Sequence, residues 1–253
     1  MGGAGQLGWG LSMLYLSVFV LIPVAAVIDK AFSTGLGDFW TSVSNSISRT
    51  ALENTLVISL IVAVISAVMG TIVAWVLIRD EFPGKRLLNA IIDLPFALPT
   101  IVASLALLGL YGTGSPVGVN LALTKTIIGV ALLFVTLPFV VRSVQPVLLE
   151  IDTEVEEAAS SLGAANSVTF RRVVLPALRP AIVSGTALSF ARCMGEYGSI
   201  VLLATKVPIA SLIIYNDVES GTTQSAAGLS VALLVITLAI LFGLRTWGSI
   251  RGR

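Results

Sequence analysis

The chain has 253 residues and a formal net charge of +1; 56% of the residues are hydrophobic and 11% charged, and the mean hydropathy is +0.98. A soluble domain carries about 25% charged residues, so this chain cannot clothe a globular surface and reads as an integral membrane protein. It has no histidine and one cysteine, Cys193, which excludes imidazole catalysis, His-based metal sites and an intrachain disulfide. A charge near zero gives no field to attract nucleic acid. No catalytic residue, metal site or nucleic-acid partner is expected.

A bilayer core about 30 Å thick needs roughly 20 apolar residues per helix. Six stretches qualify: Trp9–Ile28, Asn54–Ile78, Ala90–Tyr111, Thr126–Leu149, Ala181–Thr205 and Ser220–Leu244. The third holds Asp93 near its start, the fourth Arg142 near one end, and the fifth Arg192 and Glu196. In the first, Val24-Ala25-Ala26 has the small residues of a cleavage site. No basic segment precedes it and five spans follow, so it is read as a retained helix. The loops on one side hold Arg79, Lys85, Arg86, Arg142, Arg171, Arg172, Arg179, Arg245, Arg251 and Arg253; the other side holds Lys30, Arg49, Lys125 and Lys206. By the positive-inside rule, both termini are cytoplasmic. Outside, the loops of note are about 29–53 and 206–219, and 209–218 suits a short helix on the outer face.

The most charged connection, about 149–180, reads as helix, glycine turn, helix. Thr153 with Glu156 fits a capping box, and Glu154, Glu156 and Glu157 complement the positive end of the first helix. Gly163 is placed to end that helix in a left-handed conformation. Asn166 or Ser167 can cap a second short helix bearing Arg171 and Arg172, which stops before Leu175-Pro176. Pro180 then suits the first turn of the fifth span. A small Ala158-Ala159 surface beside a tight turn would let another protein approach closely; a solvated hairpin bridging two spans is the plain alternative.

Glu157-Ala158-Ala159, Gly163, Val173 and Leu175-Pro176 resemble, in identity and spacing, the EAA motif of bacterial ABC importer permeases, with valine in place of the usual isoleucine. Asp93 to Thr100 (Asp-Leu-Pro-Phe-Ala-Leu-Pro-Thr) and Phe190 to Ser199 resemble signatures of the sulfate/molybdate branch. Glu196-Tyr197-Gly198-Ser199 is more similar to the T-type sulfate/thiosulfate permeases than to their W-type partners. The resemblance implies an all-α polytopic membrane protein with six transmembrane helices and the type I ABC importer permease fold. Residues 1–50 would be an additional N-terminal helix and first external loop, 51–247 the permease domain with its coupling hairpin at 150–180, and 248–253 a cytoplasmic tail. It also implies a bacterial inner-membrane location, a W-type permease as heterodimer partner, two ATPase subunits and an external sulfate-binding protein. Glu156, Glu157, Ala158, Ala159, Gly163, Arg171 and Arg172 would dock the ATPase. The chain lacks a Gly-x-x-x-x-Gly-Lys-Ser/Thr motif, so no cofactor is expected here, and ATP and Mg would sit in the partner ATPases.

Inside the membrane, Arg192 lies eleven residues past Ala181, about 17 Å into the span at 1.5 Å per residue. A charge there costs roughly 2.5–3.5 kcal/mol on insertion scales, so it must face protein or water. Either Arg192 meets an oxyanion while Glu196 steadies it, or the two form a buried pair that never touches substrate. Pro95 and Pro99 remove two amide donors from the third span, Thr100 offers a hydroxyl, and Gly195, Gly198 and Ser199 follow in the fifth. These residues either bend the spans into a pathway gate or make ordinary kinks. Rival functions are a homodimeric molybdate/tungstate permease, an ion-coupled secondary anion transporter, and a structural membrane subunit.

Overall fold

The computed structural model describes residues 3–250, and for the side chains excludes residues 3–7, 153, 155, 160, 166, 245 and 247–250. No strand forms among the described residues. The first span is α1 (Gly3–Leu16), one widened π turn (Ser17–Leu21) and α2 (Ile22–Phe32). The segment that follows, expected to be external, is largely helical, as α3 (Leu36–Ser44). Asn45 then caps α4 (Ser46–Arg79), its side-chain oxygen accepting the Ser48 amide at 2.8 Å; this satisfies one of the orphan amides of a helix start.

Gly84, at φ +91°, turns the chain into α5 (Lys85–Ala97), which gives way to α6 (Thr100–Tyr111) through a bend of 115°. The predicted third span is therefore a broken pair of helices. Pro99 cannot donate to α5 and instead stands at the start of α6, where its missing amide costs nothing. Next come α7 (Lys125–Glu150), α8 (Thr153–Ser161) and α9 (Asn166–Thr169).

The structure corrects the expected second half of the connection. The short second helix does not stop before Leu175-Pro176: α9 runs through a π turn (Phe170–Val174) into α10 (Leu175–Met194), giving one span over Ser167–Met194. Pro176 has no amide to offer its carbonyl four residues back, and the widened turn, with the Leu175 amide reaching Phe170, absorbs that mismatch. Pro180 thus lies inside the helix rather than in its first turn. The fifth span also ends at Met194, not at Thr205. The segment 195–209 is irregular, followed by α11 (Ala210–Glu219) and α12 (Thr223–Ile250). Among the described residues, five helices are long and apolar enough to cross a membrane, or six if α5 and α6 count as one span.

The core is α4, α7 and α10. Gly70 faces Val140, and Gly129 faces Val62, so α4 and α7 run parallel. Gly185 of α10 meets Val140 and Ser143, and Cys193 lies 3.7 Å from Thr136, so α10 runs back antiparallel. A Cβ at Gly70 would come within 2.7 Å of the Val140 Cβ, and one at Gly185 within 2.8 Å of the Val140 Cα. Small residues let membrane helices approach closely, since lipid supplies no hydrophobic drive to press them together. α12 packs against α2, α3, α10 and α11, and α5 and α6 flank α7. The ends of α4 and α7, the start of α5 and the α8–α9 hairpin all lie at one end of the bundle, as the Arg79–Glu156 contact between α4 and α8 shows.

Candidate functional site

Two assemblies stand out, the hairpin and the broken helices. In the hairpin, Gly163 has φ +83°, a conformation that costs any L side chain. The Ala164 amide reaches back to the Ala159 carbonyl at 3.1 Å, the wrap-around bond of a Schellman turn. Glu157 and Ala158 are exposed, Ala159 is half-buried, and Arg171 and Arg172 are exposed on the π turn. Of the residues expected to dock, Glu157, Ala158, Gly163, Arg171 and Arg172 are thus presented to solvent, whereas Ala159 is half-buried and Glu156 is turned into the protein.

The expected capping box rests on Thr153, whose side chain lies outside the described residues, as does that of Asn166. Just before it, Asp152 accepts the Glu154 amide at 3.0 Å. Glu156 turns away from the helix start to Arg79, with Oε1 accepting from Nη2 at 2.6 Å. Arg79 also donates to the Ile151 carbonyl at 3.1 Å and stands over Trp75, whose ring meets Phe170 edge-on at 5.2 Å. Both partners of the pair are largely buried, with side chains 16% and 23% exposed. A charge-assisted bond shielded from water wins over a solvated capping contact. The last turn of α4 is therefore pinned to the first turn of the hairpin.

In the membrane interior, α10 ends where the sequence predicts the middle of a span. Arg192 stands in its last turn, level with the middle of α7. Its neighbour Cys193 faces Thr136, which is eleven residues from the start of α7 and fourteen from its end. Glu196, 1% exposed, lies beyond the helix end yet still meets Arg192, whose Nη1 is 2.5 Å from Oε2 in an ion-pair contact without hydrogen-bond alignment. Its other oxygen accepts the Ser199 amide at 2.8 Å, which orders the turn after the helix. The Arg192 side chain is 38% exposed. Ser199 is fully buried.

The irregular segment after Met194 needs partners for its backbone, because lipid offers none. Side chains of neighbouring helices supply them. Ser104 accepts the Leu202 amide at 3.2 Å, Asn54 donates to the Pro208 carbonyl at 3.0 Å, and Thr55 accepts the Ala210 amide at 2.9 Å. Ser211 returns to donate to the Glu196 carbonyl at 2.6 Å.

The two predicted break points meet here. Gly198 packs so tightly on Thr100 that a Cβ would overlap the Thr100 hydroxyl. Pro95 and Pro99 lie on either side of the α5–α6 elbow, which delivers Thr100 to that contact. Gly195 behaves differently: a Cβ there would meet nothing within 4 Å, so it ends the helix without serving close packing.

A third network was not foreseen from the sequence. Arg142 grips both Asp93 oxygens, Nε to Oδ1 at 2.8 Å and Nη2 to Oδ2 at 2.5 Å. Its remaining donors reach the Asn89 side chain and carbonyl and the Gln145 side chain. This fork fastens α5 to α7 below the elbow. A guanidinium and a carboxylate, each isolated in an apolar stretch, were the available signal, since intramembrane charges pair.

The family model described as binding-protein-dependent transport system inner membrane component matches residues 66–246. A "Probable sulfate transport system permease protein cysT" of Chlorokybus atmophyticus is 42% identical over 93% of this chain and 86% of its own. The "Sulfate transport system permease protein CysT" of Escherichia coli K12 is 38% identical over 98% and 93%. Among solved structures, a bacterial ABC transporter involved in import of the acidic polysaccharide alginate superposes with a TM-score of 0.81 at 16% identity, covering 98% of this chain and 96% of that one. The chain matches the MetNI methionine ABC transporter with a TM-score of 0.59 at 22% identity, over 79% and 91%; both likenesses show the fold. The chain therefore belongs to the binding-protein-dependent transport system inner membrane components, as a multi-pass permease subunit of type I ABC importer fold in the CysT line.

Proposed function

We propose that this chain is the T-type permease of an ATP-driven importer of sulfate and thiosulfate, with both termini on the cytoplasmic side of a bacterial inner membrane. Its partners in this reading are a W-type permease completing the pathway, two ATPase subunits that bind ATP and Mg, and an external binding protein that delivers the anion. The observation that carries the reading is the α8–α9 hairpin: an exposed Glu157-Ala158 face and a left-handed Gly163 turn, joined to a transmembrane helix by the shielded Arg79–Glu156 bridge. Such a hairpin suits transmission of a push from a docked ATPase into α4, and through the shared Val140 contact into α7 and α10. The substrate rests on the names of the relatives.

In the mechanism that follows, ATP-driven closure of the partners moves the hairpin and tilts α4. The Gly198–Thr100 contact between the two broken segments is the element that opens or shuts. Arg192, whose side chain is 38% exposed beside a buried carboxylate, supplies positive potential to a divalent anion. Glu196 cancels enough of that charge for the anion to leave. Binding too tightly would trap substrate, as in any pathway that must release what it admits.

The test is uptake of labelled sulfate into vesicles holding the chain, its candidate permease partner, the ATPase and the binding protein, with and without ATP. ATP-dependent uptake blocked by thiosulfate but not molybdate is the expected result. Uptake blocked only by molybdate would move the substrate, and ATP-independent flux would overturn the importer reading.

A further inference from the structure

A cavity of about 850 Å3 opens at the basic end of the bundle, between the last turn of α4, the first turns of α5 and the last turns of α7. Its lining combines the apolar Leu77, Ile78, Phe82, Pro146 and Leu149 with the cationic Lys85, Arg86 and Arg142. The three cations are not equivalent. Arg142 has its donors committed to Asp93, Asn89 and Gln145. Lys85 is paired with Glu81 at 2.7 Å, which offsets the acidic side chain of the same lining. Arg86 is exposed and makes no ion pair or hydrogen bond among the described residues.

The placement of Arg86 sharpens the point. Lys85 and Arg86 occupy the first turn of α5, where the helix carries its positive end and unsatisfied amides. Gly84 gives no side-chain cap, and the first turn has no acidic residue. Cations at that end are slightly unfavourable towards the helix dipole, and an anion beside them offsets this. The apolar part of the lining gives no purchase to a small hydrated anion. It suits an acyl chain.

We infer that this cavity holds an anionic phospholipid, its phosphate between the Arg86 side chain and the amides of Arg86 and Leu87, the Lys85 amide being bonded to the Phe82 carbonyl at 3.3 Å, and its chain against Leu77, Ile78, Phe82, Pro146 and Leu149. Basic pockets between membrane helices bind acidic head groups in this way. The position has a consequence for coupling. Leu77 and Ile78 immediately precede Arg79, which holds the hairpin, and Leu149 lies two residues before Ile151, whose carbonyl Arg79 also binds. A lipid seated here braces the joint between α4 and the hairpin, so bilayer composition becomes an input to ATP coupling.

The experiment is native mass spectrometry of the full chain released from micelles containing equal phosphatidylglycerol and phosphatidylcholine. Wild type should retain phosphatidylglycerol preferentially. Arg86→Gln should lower that retention about fivefold, the effect of one basic side chain near an acidic surface, with phosphatidylcholine retention unchanged. Arg171→Gln, an exposed arginine outside the cavity, should leave retention at the wild-type level. Equal retention in wild type and Arg86→Gln overturns the proposal, as does equal loss in both variants, which would mean general surface attraction. Displacement of the lipid by inorganic sulfate or phosphate would assign the site to a free oxyanion and overturn the lipid assignment.

Discussion

The Arg79–Glu156 bridge sets how firmly the hairpin is tied to the membrane helices. Arg79→Ala removes its bond to Glu156 at 2.6 Å, its bond to the Ile151 carbonyl at 3.1 Å and its stacking over Trp75. A hydrogen bond to a charged group contributes about 1.5–3 kcal/mol, and an exposed cation–π contact about 0.5–1 kcal/mol. The pair is shielded but not sealed, so a coupling energy of about 2 kcal/mol between Arg79 and Glu156 is expected, within the usual range for contacting residues. That corresponds to about thirtyfold in the population of the pinned hairpin. The assay is a double-mutant cycle of Arg79→Ala, Glu156→Ala and the double variant in the assembled importer. Labelled-sulfate uptake and ATP hydrolysis are read together. Each single variant should keep hydrolysis while losing most uptake, and the double variant should be little worse than either. Additive losses, or wild-type uptake in Arg79→Ala, would refute the idea that this bridge carries the stroke.

Gly163→Ala places a Cβ at φ +83°, costing about 1–2 kcal/mol of local strain, so co-purification of the ATPase should weaken while the six spans still insert. Arg192→Ala strands the buried Glu196 carboxylate; about 3 kcal/mol is expected, the lower end for a broken buried pair, because Arg192 itself is 38% exposed. Arg192→Lys keeps the charge and loses the fork: retained stability with a raised KM for sulfate would mark anion contact, and unchanged uptake would mark a purely structural pair. Gly185→Leu drives a side chain into Val140, and thermal unfolding of the detergent-solubilised chain should show a loss of more than about 2 kcal/mol from overpacking; an unchanged midpoint would contradict the three-helix core.

Much of this architecture could be read from residue order, and the exceptions have physical causes. Length and hydropathy locate helices wherever an apolar run is uninterrupted, as in α4 and α12. They fail in the fifth span because 195–205 is as apolar as a helix but is held by the Ser104 and Ser211 side chains rather than by its own ladder. Gly163 was legible because a left-handed turn admits few residue types. The Arg79 contact of Glu156 was not legible, because a local partner, Thr153, is visible in sequence and the distant one, Arg79, is not. Gly70 and Gly185 carried a weak signal, small residues within apolar helices, but not which helix they would meet. The Gly198–Thr100 contact joins two motifs that sequence placed in separate spans; their meeting depends on the 115° elbow, an angle that two prolines allow but do not dictate.

The central claim is that the α8–α9 hairpin is the seat of the ATPase and the route by which ATP reaches the spans. The most direct measurement is site-specific cross-linking from Ala158→Cys, on the exposed face, in a Cys193→Ser background that leaves no other thiol in the chain. The assembled importer would be treated with a short bifunctional thiol reagent, with ATP present or absent. The account predicts a cross-link to the ATPase whose yield changes with ATP and falls when Arg79 is replaced by alanine. An importer that carries sulfate in an ATP-dependent way yet gives no cross-link from position 158 would contradict it.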